Sequence, residues 1–151
     1  MGYVEDLRRI VGHRPLILTG AVVIIVNREG KILLQQRQFP KDVWGLPGGL
    51  MELGESTEEA AKREVFEETR LQVCDLELMD IYSGSDFFVV AQNGDEYYSV
   101  TTVYTTSSYT GCLRADPEES IQCAFADPVN LPENMVRNHR FMIEEYVKRK
   151  T

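Results

Sequence analysis

Apolar residues recur near the start of the chain at Val4, Leu7 and Val11, the spacing of a short helix with one apolar stripe. The pattern then changes. "TGAVVIIVN" (19–27) is an unbroken apolar run rich in β-branched side chains, which predicts a buried strand. "NREG" (27–30) is a turn and "KILLQQR" (31–37) a returning strand, so the two are expected to form a hairpin. "FPKDVWGLPGG" (39–49) holds two prolines and three glycines and predicts a loop. A helix is expected from Ser56. "DLELMDIYSG" (75–84) alternates as a strand does. "DFFVVA" (86–91) and "YYSVTTVYTTS" (97–107) flank "QNGDE" (92–96), where Asn93-Gly94 is a hairpin signal. "SIQCAFA" (120–126) predicts a further strand, "DPVNLPEN" (127–134) a turn, and "RNHRFMIEEYVKR" (137–149) a closing amphipathic helix.

This order of helix, hairpin, helix, several strands and helix implies one mixed sheet with helices packed on it, an α/β class. No internal repeat, linker or low-complexity tract divides the chain, so its 151 residues are expected to form a single domain. Hydrophobic content of 43% with 26% charged residues is that of a globular chain. The segment before Leu16 is charged and carries no apolar run, which excludes a signal peptide, and the stretch Ala21 to Val26 is too short to span a bilayer. No membrane association is expected. Cys74, Cys112 and Cys123 are scattered and odd in number, with no Cys-x-x-Cys, which speaks against a zinc site or a disulfide framework and for a reducing cytoplasm.

Net charge changes the picture further. At -8, with no Lys/Arg cluster long enough to make one, the chain lacks the basic face that nucleic-acid binders present. An anionic ligand would have to be drawn by something other than net charge, and a bound divalent cation would do so.

The carboxylates of the central helix sharpen this point. Ser56-Thr57-Glu58-Glu59 reads as a capping box. Glu58 has Lys62 four residues on, Glu59 has Arg63, and Glu67 lies between Arg63 and Arg70, so these three can be balanced on a solvated face. Glu64 and Glu68 have no cation at the third or fourth neighbour and face each other. Such a like-charge pair costs only about 0.2–0.5 kcal/mol, so a solvated face stays open as an explanation. The other explanation is a hard cation, which wants carboxylate oxygens completed by water and phosphate. Gly48-Gly49 just upstream would let the backbone turn tightly and approach a ligand, although a glycine pair also makes an ordinary turn.

Taken together, "GLMELGESTEEAAKREVFEETRL" (49–71) resembles the Nudix box, G-x5-E-x7-R-E-U-x-E-E-x-G-U, where U is bulky and aliphatic. Gly49, Glu55, Arg63, Glu64, Val65, Glu67, Glu68 and Leu71 match, and Arg70 stands where the family has glycine. "LLQQR" and "WGLPGG" upstream, and the element order over nearly the whole chain, are also similar to Nudix proteins. The resemblance implies an α/β/α sandwich with a mixed β-sheet. It implies a hydrolase, dependent on Mg²⁺ or Mn²⁺, that splits a diphosphate bond in a nucleoside diphosphate linked to another moiety. By the same resemblance Glu64, Glu67 and Glu68 are metal ligands, the Gly48 carbonyl joins them, and Glu55 sits outside them or binds a further metal. Arg63 orients the carboxylates, and Arg37 is a candidate for holding phosphate. "DPEES" (116–120) offers Glu118 and Glu119 as a later-loop base, and reads equally as an ordinary acidic turn; the general base is expected to be Glu64 or Glu119, because Gln122 stands where many relatives carry a glutamate and an amide cannot take the proton. The partner implied is a nucleotide-like small molecule, with no nucleic acid, and the resemblance leaves room for a homodimer.

Substrate signatures are silent. No proline lies between Pro47 and Pro117, where ADP-ribose pyrophosphatases of the family carry one. Phe87 and Phe88 stand where dinucleoside polyphosphate hydrolases show a tyrosine, and Phe87 is a candidate for stacking on a base. Two other readings remain: a Nudix-fold module that binds nucleotides without cleaving them, against which the complete set Arg63, Glu64, Glu67, Glu68 argues, and an acidic helix used as a protein interface.

Overall fold

An apolar run with no polar alternation needs cover on both faces, and β1 (Leu16–Ile25) has it. The computed structural model describes residues 2–151. In it Val22 and Ile24 point into one core cluster with Leu46, Val103, Met142 and Ile143, while Ala21, Val23 and Ile25 point into another with Ala61, Val65 and Leu71. The first cluster lies under α3 (Arg137–Lys150) and the second under α2 (Thr57–Thr69). The period-two geometry of a strand thus splits the run of five residues from Ala21 to Ile25 between two cores and places a helix on each face. The result is a mixed α/β layering, as the sequence leads one to expect.

The strands do not form one sheet. β1 pairs in parallel with β8 (Glu96–Thr106), from Leu16 opposite Tyr97 to Ile25 opposite Thr106. Its other edge pairs antiparallel with β4 (Gly48–Leu50). β8 in turn pairs antiparallel with β6 (Glu77–Tyr82) and β7 (Phe88–Val90). β2 (Ile32–Arg37) belongs to a second sheet, between β10 (Ser120–Ala126) and the two-residue β3 (Trp44–Gly45). β5 (Gln72–Cys74) and β9 (Ser108–Thr110) form a third, small pair.

The expected hairpin of β1 and β2 is therefore corrected. The turn reverses the chain, with Asn27 Oδ1 accepting from the amides of Glu29 and Lys31. Both edges of β1 are already filled, by β4 and β8, so β2 crosses into the other sheet, and the bridge Val26 to Ile32 is what remains of the pairing. Residues 39–49 are likewise not all loop, since they supply β3 and the start of β4. Segments of two or three residues are too short to show a period.

α1 (Tyr3–Val11) buries no residue fully and is held at its ends by polar contacts. The Tyr3 amide donates to Glu52 Oε1 at 3.0 Å, and Arg8 donates to the carbonyls of Gly12, Arg14 and Glu96. Before α3, residues 134–136 run beside β3: Trp44 N donates to Asn134 O and Val136 N to Trp44 O. This brings the first turn of α3 next to Gly45. Among the described residues no helix is long and apolar enough to cross a membrane.

Candidate active site

The site is built on α2, whose start is set by its sequence. Ser56 Oγ accepts from the Glu59 amide at 3.0 Å, and Glu59 Oε1 accepts from the Ser56 amide at 2.9 Å, the reciprocal box expected. Glu59 is thereby used in the cap, not by Arg63. Lys62 does pair with Glu58, at 3.7 Å. At the far end Arg70 takes the left-handed conformation, φ 66° and ψ 8°, where the family pattern has glycine, and its amide donates to Phe66 O. Its guanidinium lies over the Phe66 ring, 5.1 Å from the centroid, not against Glu67.

Arg63 organises the acidic face. Its Nε and Nη2 grip Glu55 at 2.6 and 2.9 Å, Nη1 donates to Glu64 Oε1 at 2.6 Å and approaches Glu67 at 3.4 Å, and Nη2 also reaches Leu50 O. The expectation that Glu64 lacks a cation is corrected: helical spacing counts third and fourth neighbours, but the long side chain of Arg63 reaches the residue beside it. Glu55 accepts from Arg63 and from the Glu52 amide, and the Arg63 bonds hold its carboxyl below the usual range. Both its oxygens are engaged, so Glu55 supports Arg63.

Gly48 and Gly49 are required by crowding. A Cβ on Gly48, which has φ 151°, would sit 2.2 Å from Ala21 O, and one on Gly49 would sit 2.2 Å from Glu64 Oε2. Only glycine lets β4 pass between β1 and α2 this closely. Gly48 N then donates to Glu68 Oε1 at 2.9 Å. Glu68 is 7% exposed, and burial, then the charge of Glu64, pushes its carboxyl up to about 9. Burial also raises Glu64, offset in part by the Arg63 hydrogen bond, and raises Glu119, helped by Asp116 and Glu67. Three carboxyls are thus held above their ordinary range beside one another.

Glu68 and Glu119 border a cavity of ≈ 470 Å³, within the range of small-molecule sites. Gly48, Gly49, Glu68, Glu119 and Arg37 all line it. The Arg37 side chain makes no hydrogen bond or ion pair among the described residues, although its charge acts on Glu68 and Glu119. Phe87 is elsewhere: it packs in the α3 core, 5.8 Å from the Tyr82 ring and 6.3 Å from that of Phe141, so its proposed stacking role is withdrawn. Gln122 bonds Gln36 on the exposed side of β10. Sequence reading missed Gln35, Tyr97, Asn138 and His139, which also line the cavity. They lie in ordinary strand and helix patterns, and only the tertiary fold brings them together.

Among the described residues no three acidic, His or Cys side chains close into a ready cation cage. Glu64 is turned to Arg63 and Glu68 to Gly48 N. The donor types nevertheless suit a hard divalent cation: Glu64, Glu67 and Glu68 stand within about one turn of α2, Glu68 lines the cavity, and burial disfavours the charge of Glu64 and Glu68 unless a cation compensates it.

The family model for the NUDIX domain matches residues 17–146. A protein of Bacillus subtilis (strain 168) named "Putative 8-oxo-dGTP diphosphatase" is 35% identical over 84% of this chain and 78% of its own length. An ADP-ribose pyrophosphatase of Methanocaldococcus jannaschii is 32% identical over 95% of this chain and 80% of its own. Among solved structures, a MutT NUDIX hydrolase from Burkholderia pseudomallei superposes with a TM-score of 0.73 at 27% identity, over 85% of this chain and 97% of that one.

Proposed function

The chain belongs to the Nudix family, pyrophosphohydrolases acting on nucleoside diphosphate-linked substrates, and we propose that it hydrolyses a nucleotide diphosphate bond with a divalent cation held by Glu64, Glu67 and Glu68. The observation that carries this reading is that Glu68, Glu119 and an unpaired Arg37 line one cavity, with the charge of Glu64 acting on Glu68 beside it. A Mg²⁺ or Mn²⁺ ion there would neutralise the diphosphate and make a bound water more acidic.

The chain's own groups divide the remaining work. Arg37 binds a phosphate oxygen, because its guanidinium has no partner of its own. Arg63 holds Glu64 and Glu67 in place and is itself held by Glu55. Glu119 takes the proton of the attacking water. Its carboxyl lines the cavity, and burial with neighbouring acids raises its proton affinity, which strengthens it as a base. Glu64 is the other candidate base, with one oxygen tied to Arg63. The single domain, its place in the cytoplasm and a homodimer belong to the same reading.

A hydrolysis assay over a panel of nucleotides tests it. Activity should vanish with excess chelator and return with Mg²⁺ or Mn²⁺. Glu64→Gln and Glu68→Gln should each lower kcat at least about a hundredfold, while Glu58→Gln should leave it unchanged. Full activity in chelator, or equal effects at Glu58 and Glu64, would overturn the proposal.

A further inference from the structure

The first residues of β1 alternate in exposure, unlike the rest of the strand. Leu18 is 4% exposed, whereas Ile17 is 74% exposed and Thr19 is also open. Side chains two apart share a face, so Ile17 and Thr19 lie on the side of Ala21, Val23 and Ile25. Those three pack with Ala61 and Val65 of α2. Ile17 stands about 13 Å further back along the strand, beyond the cover of that helix.

The bare face continues across the sheet. Register sets Ile17 beside Tyr98 of β8, and Tyr98 beside Phe88 of β7. The three form one row across three strands, with the Phe88 and Tyr98 rings 4.9 Å apart. Val90 follows Phe88 on the same face, and Ile81 of β6 joins it beside Thr102. All five side chains are exposed. No charge stands in the row, and Glu96, opposite Val90, marks its edge. Together they leave on the order of 500 Å² of side chain open to water, a patch large enough to mark a protein partner.

We infer that a second copy of this chain covers this face, sheet against sheet, in a two-fold dimer. Each partner of a stable interface contributes about 800 Å², which the five side chains reach with Thr19, Val100 and Glu96 around them. The row is also self-complementary. An axis parallel to the strands and over Tyr98 lays Ile17 of each copy against Phe88 of the other and Tyr98 against itself. Aliphatic then meets aromatic, and no charge is buried. Val89, Tyr97 and Ser99 alternate with this row, line the cavity and point to the opposite face, so both cavities stay open. The inference gives a surface to the homodimer named in the proposed function and does not depend on hydrolysis.

Sedimentation equilibrium of the full chain, without nucleotide, tests it on the wild type, Ile17→Glu, Phe88→Glu and Val129→Glu. Val129 is also exposed but lies in the turn after β10, and its variant adds the same charge. Ile17→Ser and Phe88→Ser repeat the test with no added charge, and thermal melts confirm folding. The wild type and Val129→Glu should dimerise alike at micromolar concentration. Each interface substitution enters the dimer twice, so the Glu variants should weaken association at least about a hundredfold and the Ser variants at least about tenfold. Added salt should tighten the dimer, because two copies of net charge -8 repel each other outside an uncharged contact. A monomeric wild type would overturn the inference. So would a dimer that the Ile17 and Phe88 variants leave intact, or one that salt weakens. A monomer that hydrolyses nucleotides would remove the dimer and leave the proposed catalysis standing, and an inactive dimer broken by these variants would do the reverse.

Discussion

At the scale of single residues, Arg70 shows how a family departure is absorbed. It adopts the left-handed conformation in place of glycine, which costs on the order of 1 kcal/mol. The guanidinium over Phe66 returns part of this. Arg70→Gly would relieve the strain but lose that contact and free the unfolded chain. Its stability should change by about 1 kcal/mol or less, with hydrolysis retained, in a melt and an activity assay. A many-fold loss of activity with the fold intact would make Arg70 functional. His139 yields a second expectation. Its folded pKa of about 3 lies below the ordinary 6.5 of the unfolded chain, so between these values the unfolded state binds more protons. Stability therefore falls as pH drops from about 6.5 toward about 3. The raised carboxyls Glu64, Glu68 and Glu119 act in the opposite sense, so the comparison must be with His139→Asn, which keeps them. In denaturant titrations from pH 7 to 4.5 the wild type should lose stability more steeply than the variant, by up to about one proton. Parallel slopes would refute the neutral, enclosed imidazole.

At the scale of elements, α2 carries the proposed ligands, and its first turn is fixed by two reciprocal bonds between Ser56 and Glu59. Ser56→Ala should destabilise the protein by about 1 kcal/mol. That corresponds to a melting shift of roughly 2–4 °C for a chain of this size. Since Glu64 and Glu68 lie about two and three turns further on, catalysis below the melting range should hold. A large loss of kcat without loss of stability would show that the cap positions the carboxylates directly. The same helix shows where pattern reading stops. The capping box and the Glu58–Lys62 pair were legible because they are local. The grip of Arg63 on Glu55 was not, because it depends on the loop after β4 folding back over the helix.

For the whole molecule, metal binding and folding should be coupled. A cation bound among Glu64, Glu67 and Glu68 stabilises only the folded chain, since the unfolded chain has no such site. The melting temperature should rise with Mg²⁺ concentration, by an amount equivalent to about 2.7 kcal/mol at a hundredfold excess over Kd. The Glu64→Gln/Glu68→Gln double variant should lose most of this rise. An equal rise in both proteins would place the ion elsewhere. This melt needs no substrate, so it separates failure to bind metal from failure to turn over.

The sequence by itself determined the α/β class, the start and N-terminal cap of α2, and the identity of the acidic set, because each is written in neighbours a few residues apart. The spacing of Gly49, Glu55, Arg63, Glu64, Glu67 and Glu68 was sufficient to point to the family. Tertiary structure alone decided how the strands divide. β1 and β2 read as partners in sequence, yet both edges of β1 are taken by β4 and β8, and hydrogen bonding along an edge admits one partner at a time. It also decided the far wall of the cavity. Arg37, Tyr97 and His139 come from β2, β8 and α3, and their chemistry arises only when the parallel pairing of β1 with β8 and the docking of α3 against β3 bring them to one space.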